Sequence, residues 1–166
     1  MPLLHKWFAI RTGDGDGSEG NPFSGSTSLL FDEHMREIAD IPATDPPTDF
    51  HIHLGAGTFA TVGLRHFATT AGGHVPGINK AGDKGWFVRS NWTITGAGEA
   101  ATTIKLEQWS TFDGSAVSSV DWAVAGCGAD QLASNVLIEH LAVDGNWDSS
   151  RPANAALYGM ALVSGG

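Results

Sequence analysis

From Leu29 to Asp40 the apolar residues recur at three- and four-residue steps: Leu30 or Phe31, then Met35, then Ile38. That spacing places them on one face of a helix. Ser26, Thr27 and Ser28 offer N-caps, and Asp32 and Glu33 suit the positive end of the helix dipole. Pro42, Pro46 and Pro47 end the helix. After Pro47 the period changes to two. Phe50, Ile52 and Leu54 share one strand face, and Gly55-Ala-Gly57 closes the strand. The same reading predicts short strands around Trp92 and Ile94, over Thr103–Leu106, at Trp122–Val124, Val136–Ile138 and Leu141–Val143, and over Gly159–Leu162. Most of them run into a glycine-bearing turn.

Equivalent apolar positions are evenly spaced. Ile104 to Val124 is 20 residues, and Val124 to Val143 and Val143 to Leu162 are 19 each. A period near twenty carried by short strands is what a parallel solenoid produces, because no rung buries its apolar stripe alone. Spacing alone leaves a β-sandwich or jelly roll open, although hairpin turns every 8–12 residues would then be expected.

Composition narrows the classes. Charged residues are 16% of the chain, glycines number 22 of 166, and 42% of residues are hydrophobic. Few charges and many glycines argue against a helical bundle, and the hydrophobic share argues against disorder. The net charge is −9, which disfavours nucleic acid, where clustered Lys and Arg must replace counterions. No apolar run approaches the ~20 residues of a membrane span. The lone Cys127 excludes an internal disulfide and a multi-cysteine metal site. Residues 1–10 do not form a convincing signal peptide, since His5 and Lys6 interrupt a short apolar stretch. Tyr158–Gly166 reads as a strand entering a turn where the sequence stops, so the expectation is the N-terminal part of a longer protein.

Several segments then resemble one family. Thr48–Phe59 carries a Leu-x-x-Gly-Thr-Phe turn, Asn91–Gly98 is followed by Thr102–Leu106, and Asn135–Asn146 ends in Asp-Gly-Asn. These resemble successive coils of pectate-lyase-like (pectin lyase superfamily) right-handed β-helices. Gly13–Phe23 and the following helix resemble the lead-in of such proteins. The resemblance spans residues 13–166. It implies an all-β fold: a right-handed parallel β-helix, truncated at its C-terminus, with an N-terminal amphipathic capping helix. Residues 1–47 would be lead-in and cap, and 48–166 the first coils. It also implies a secreted or cell-surface protein that acts on or binds polysaccharide, as a polysaccharide lyase or a glycoside hydrolase. A non-enzymatic polysaccharide-binding solenoid, such as a phage tailspike or adhesin, is the alternative, and a structural fragment a third. Whether the chain is an enzyme stays open, as does its oligomeric state. The known calcium and basic-residue motifs of the family are absent from this segment, so most catalytic residues would lie downstream.

Local candidates remain. Glu139, Asp144, Asp148 and Arg151 form the best acidic cluster, with paired carboxylates able to do acid–base work or bind calcium. Asp144-Gly-Asn146 also reads as plain turn chemistry. Arg65, Lys80, Lys84 and Arg89 face only Asp83 within residues 51–98, and much of this charge falls in a predicted loop over 63–85. Arg65 and Lys84 are therefore candidates for contacting an acidic polysaccharide. Trp109 and Trp147 are candidates for stacking on sugars, whereas the parity of Trp92 and Trp122 places them in the core. His51 and His53 share the face opposite Ile52, a spacing that can hold zinc. A third ligand would have to come from somewhere such as His66 or His74, and nothing fixes that geometry, so no metal site is assigned. Asp14–Gly20 departs from the EF-hand pattern and reads as a turn-rich lead-in. No cofactor is evident, with calcium the one ion the acidic candidates would suit.

Overall fold

The computed structural model describes residues 3–39, 49–62, 64–68, 74–76, 86, 88–107, 113–118, 134–146 and 157–161. Strand β1 (Leu3–Ala9) opens the chain, followed by β2 (Phe23–Ser24) and helix α1 (Ser28–Ala39). Then come β3 (Asp49–Leu54), β4 (Gly57–Thr61), β5 (Leu64–Ala68), β6 (His74–Pro76), β7 (Trp92–Gly96) and β8 (Thr102–Leu106). Strands β9 (Asp113–Ser118), β10 (Leu137–Glu139), β11 (Ala142–Asp144) and β12 (Leu157–Ala161) complete the order.

Helix α1 forms where the apolar spacing places it. Thr27 caps it: its carbonyl accepts the Phe31 amide at 3.0 Å and its hydroxyl accepts the Leu30 amide at 3.3 Å. Phe31, Met35 and Ile38 are buried in the core, where Phe31 meets Phe8 of β1 and Phe59 of β4. Asp32 departs from its expected role at the helix end. It is 2% exposed and turned into the interior.

Two sheets are wholly parallel. One has the order β10-β7-β3-β1-β2 and the other β11-β8-β4. Their inward faces carry Phe8, Phe50, Ile52, Trp92 and Ile94 on one side and Phe59, Ile104 and Leu106 on the other. The third sheet, β12-β9-β5-β6, is mixed: β12 runs parallel to β9, but β5 runs antiparallel to both β9 and β6.

This arrangement corrects the expectation of a closed right-handed parallel β-helix. The described strands form small sheets beside a helix, and parallel ladders alone do not wind a chain into a closed coil. In a solenoid, strands at equivalent positions stack in one direction, and the antiparallel pairings of β5 break that rule. The period near twenty misleads for a related reason. Residues paired from β1 to β3, from β3 to β7 and from β7 to β10 are 42 to 46 apart, so the ladder step is about twice the apolar spacing. The predicted loop over 63–85 also contains two strands, β5 and β6.

Close approach explains one of the strand-closing glycines. A Cβ on Gly96 would collide with the His140 carbonyl oxygen, and would lie 2.7 Å from Leu141 Cβ. The chain corners on either side use left-handed backbone at Asn91 (φ 64°), Asn135 (φ 56°) and His140 (φ 56°). Asn135 Nδ2 donates to Asn91 Oδ1 at 3.1 Å, which stacks one corner on the next.

Candidate functional site

Strand periodicity builds the site. In β3 and β7 alternate residues enter the core, as Phe8 does from β1, so their neighbours stand on the outer face. Parallel registration aligns those neighbours in two rows. Trp7, His53, Thr95 and Glu139 form one row, and His5, His51, Thr93 and Leu137 the other. Adjacent strands lie about 4.8 Å apart, so three histidines on two neighbouring strands must meet.

They do meet. His5 Nδ1 lies 2.9 Å from His53 Nε2. The His51 and His53 rings stack at 4.0 Å between centroids, and Trp7 stacks on His53 at 4.6 Å. One ring nitrogen from each of His5, His51 and His53 falls within 4.8 Å of the others, so the cluster can hold a metal ion. Tetrahedral zinc with imidazole nitrogens at 2.0–2.1 Å would space them about 3.3 Å apart. His5 is exposed, while His51 and His53 are half-buried.

The environment favours the uncharged forms of His51 and His53. Burial lowers the pKa of His51 below the usual histidine value, and the neighbouring His5 lowers it further, against an opposing pull from Glu139. Burial also lowers that of His53, joined by repulsion from His51 and His5. A neutral imidazole keeps the lone pair that a metal requires.

Behind His51 the face continues into a polar chain. His51 Nε2 is 2.9 Å from Thr95 Oγ1, and Thr95 Oγ1 donates to Glu139 Oε1 at 3.2 Å. Glu139 thus stands in an outward row, as its parity requires. Asp144 is on β11, in a different sheet from Glu139 on β10, with the His140 corner between them. Its carboxylate accepts the Asn146 amide at 2.7 Å and pairs with Lys105 Nζ at 3.3 Å. Asn146 follows in left-handed backbone (φ 49°), the geometry of a turn.

Asp148, Arg151, Trp109, Trp147 and Lys84 lie outside the described residues. Arg65 lies in β5, and His66 and His74 in β5 and β6, with their side chains outside the described part. Trp92 is buried in the core at 1% exposure, and Trp122 lies outside the described residues. In the lead-in, Asp14 Oδ1 accepts the amides of Gly15 and Ser24, and its Oδ2 meets His34 Nε2 at 2.7 Å. Asp16 accepts the Ser18 amide at 2.9 Å. Those carboxylates hold turns.

Sequence reasoning missed His5. The signal was present: in Leu3–Ala9, His5 and Trp7 alternate with the buried Phe8, as His51 and His53 alternate with Ile52. Nothing local to β1 says that it pairs with β3, so the match of the two patterns carried no weight alone. Among the described residues, no helix is long and apolar enough to cross a membrane. No protein-family model, curated protein or solved structure matches this chain.

Proposed function

We infer that this chain binds a divalent transition metal of the zinc class on the outer face of its first sheet. The convergence of His5, His51 and His53, with nitrogens within 4.8 Å, carries the reading. An all-nitrogen donor set suits zinc, nickel or copper(II). It does not suit calcium, which takes six to eight oxygens, so the calcium expectation gains no support from these ligands. Three protein ligands would leave a fourth position for water or a ligand group, the arrangement of zinc sites that do chemistry.

Calorimetric titration of the metal-free chain with zinc chloride is expected to saturate at one equivalent. Loss of an outer ligand contact alone costs about 10–100-fold in affinity, so His51→Ala and His53→Ala should each weaken binding by at least that much. Calcium chloride should give no saturable heat. A wild-type chain that takes up no zinc would remove the reading.

Polysaccharide contact on the same face is a second reading, favoured by Trp7. Its indole stands in the outward row beside the histidines, and an accessible aromatic ring offers a flat apolar surface for a sugar ring. Affinity electrophoresis through polygalacturonate is expected to retard the wild type and not Trp7→Ala. Equal mobility of the two would count against it.

A further inference from the structure

Taking the outer face as a metal site, as above, we propose that Thr95 and Glu139 are positioning residues that fix the His51 ring as its Nε2–H tautomer and so turn the Nδ1 lone pair toward the ion. Proton bookkeeping leads to it. Thr95 Oγ1 donates its hydrogen to Glu139 Oε1, and a hydroxyl has a single proton to give. The 2.9 Å contact between His51 Nε2 and Thr95 Oγ1 must then use an Nε2–H donor. A neutral imidazole carries one N–H, so Nδ1 is left bare. Metal-binding histidines commonly have the second nitrogen tied to a carboxylate or carbonyl, which fixes the tautomer and raises ligand basicity. Here a threonine hydroxyl extends the carboxylate's reach by one strand.

The register makes this relay a property of the sheet. Glu139, Thr95 and His53 occupy one row of β10, β7 and β3, and His51 is diagonal to Thr95. Glu139 is too far along the row to serve His51 without the intervening strand. The role differs from that of a general acid or base, because Glu139 acts through Thr95.

Long-range proton–nitrogen NMR of the metal-free, isotopically labelled chain reads the tautomer directly, and zinc titration reads its consequence. The wild type and Thr95→Ser are expected to show His51 with Nε2–H. Thr95→Val removes the hydroxyl at nearly constant volume and should give a mixed or Nδ1–H ring, with zinc affinity about 10–100-fold weaker. In Glu139→Gln the amide can donate to Thr95, which frees the hydroxyl proton for His51 Nε2. That variant should shift toward Nδ1–H. An Nδ1–H tautomer in the metal-free wild type would overturn the proposal, as would a Thr95→Val chain with the wild-type tautomer. A wild type that takes no zinc, yet shows Nε2–H that changes in Thr95→Val, would remove the metal reading and leave the relay standing.

Discussion

Folding stability is expected to decline by about 3.5 kcal/mol between pH 4 and pH 7 through Asp32 alone. Burial pushes its carboxyl up to about 7 in the folded chain, from an ordinary value of 3.8. The Thr61 hydroxyl and the Val62 amide, which donate to its two oxygens at 2.6 and 2.9 Å, pull the other way. So does the nearby Arg36, whereas Glu107 pushes with burial. Below the unfolded value both states hold the proton, and the stabilisation is complete. As pH rises, the unfolded chain loses its proton first, and each unit costs roughly 1.4 kcal/mol until the folded carboxyl also ionises. Above about 7 the curve flattens.

Asp32→Asn isolates the effect because an amide does not titrate there. Its carbonyl can accept from Val62 and its amide can donate to Thr61 Oγ1, the arrangement of the protonated acid. Thr61 Oγ1 also accepts from Trp86 Nε1 at 3.2 Å, so the hydroxyl already tolerates an incoming donor. The variant should be less pH-sensitive than the wild type, and should match or exceed its stability at pH 8. Urea unfolding of both proteins at pH 4.5, 6 and 8 measures the difference. A constant difference across that range would show that Asp32 does not titrate within it.

Local pattern reported elements well and partners badly, and the reason is physical. Strand parity identifies the buried side of β3, β7 and β8 because alternation depends only on the pleat. Phe50, Ile52, Trp92, Ile94 and Ile104 accordingly lie inside. The start and apolar face of α1 were legible because Thr27, Phe31, Met35 and Ile38 are one or two helical turns apart. Pairing has no such local signature. That β1 lies beside β3, or that β5 runs against β9, depends on contacts across about fifty residues, for which parity is silent. The histidine site falls in that gap. His51 and His53 announce a ligand pair, but His5 joins them only through a register that the fold decides. Asp32 escaped for the opposite reason: its position suggests a helix-end charge, and only the tertiary packing against Thr61 makes it a buried clamp.

Replacing Phe31 with alanine is expected to cost about 3–5 kcal/mol, the range for truncating a fully buried aromatic ring. Phe31 is 0% exposed and its ring reaches three other segments of the chain. Its ring meets Phe8 of β1 edge-on at 5.4 Å, Phe59 of β4 at 5.3 Å and Trp86 edge-on at 5.7 Å. Edge-to-face pairs add roughly 0.5–1.5 kcal/mol beyond area burial, though three pairs on one ring do not sum independently. The cavity would open between the helix and both parallel sheets, where α1 is held to β4 from the next residue by Asp32. Chemical denaturation should therefore show a lower midpoint at unchanged slope. Leu29→Ala is the matched control, since Leu29 lies on the same helix at 60% exposure and should change stability by no more than about 0.5 kcal/mol. Alanine is the better helix former at both positions, so two equal losses would show that the ring's seat is not what the Phe31 substitution removes. The contrast between them measures how much of the fold depends on α1 being docked, because an undocked helix of 12 residues is marginal in water by itself.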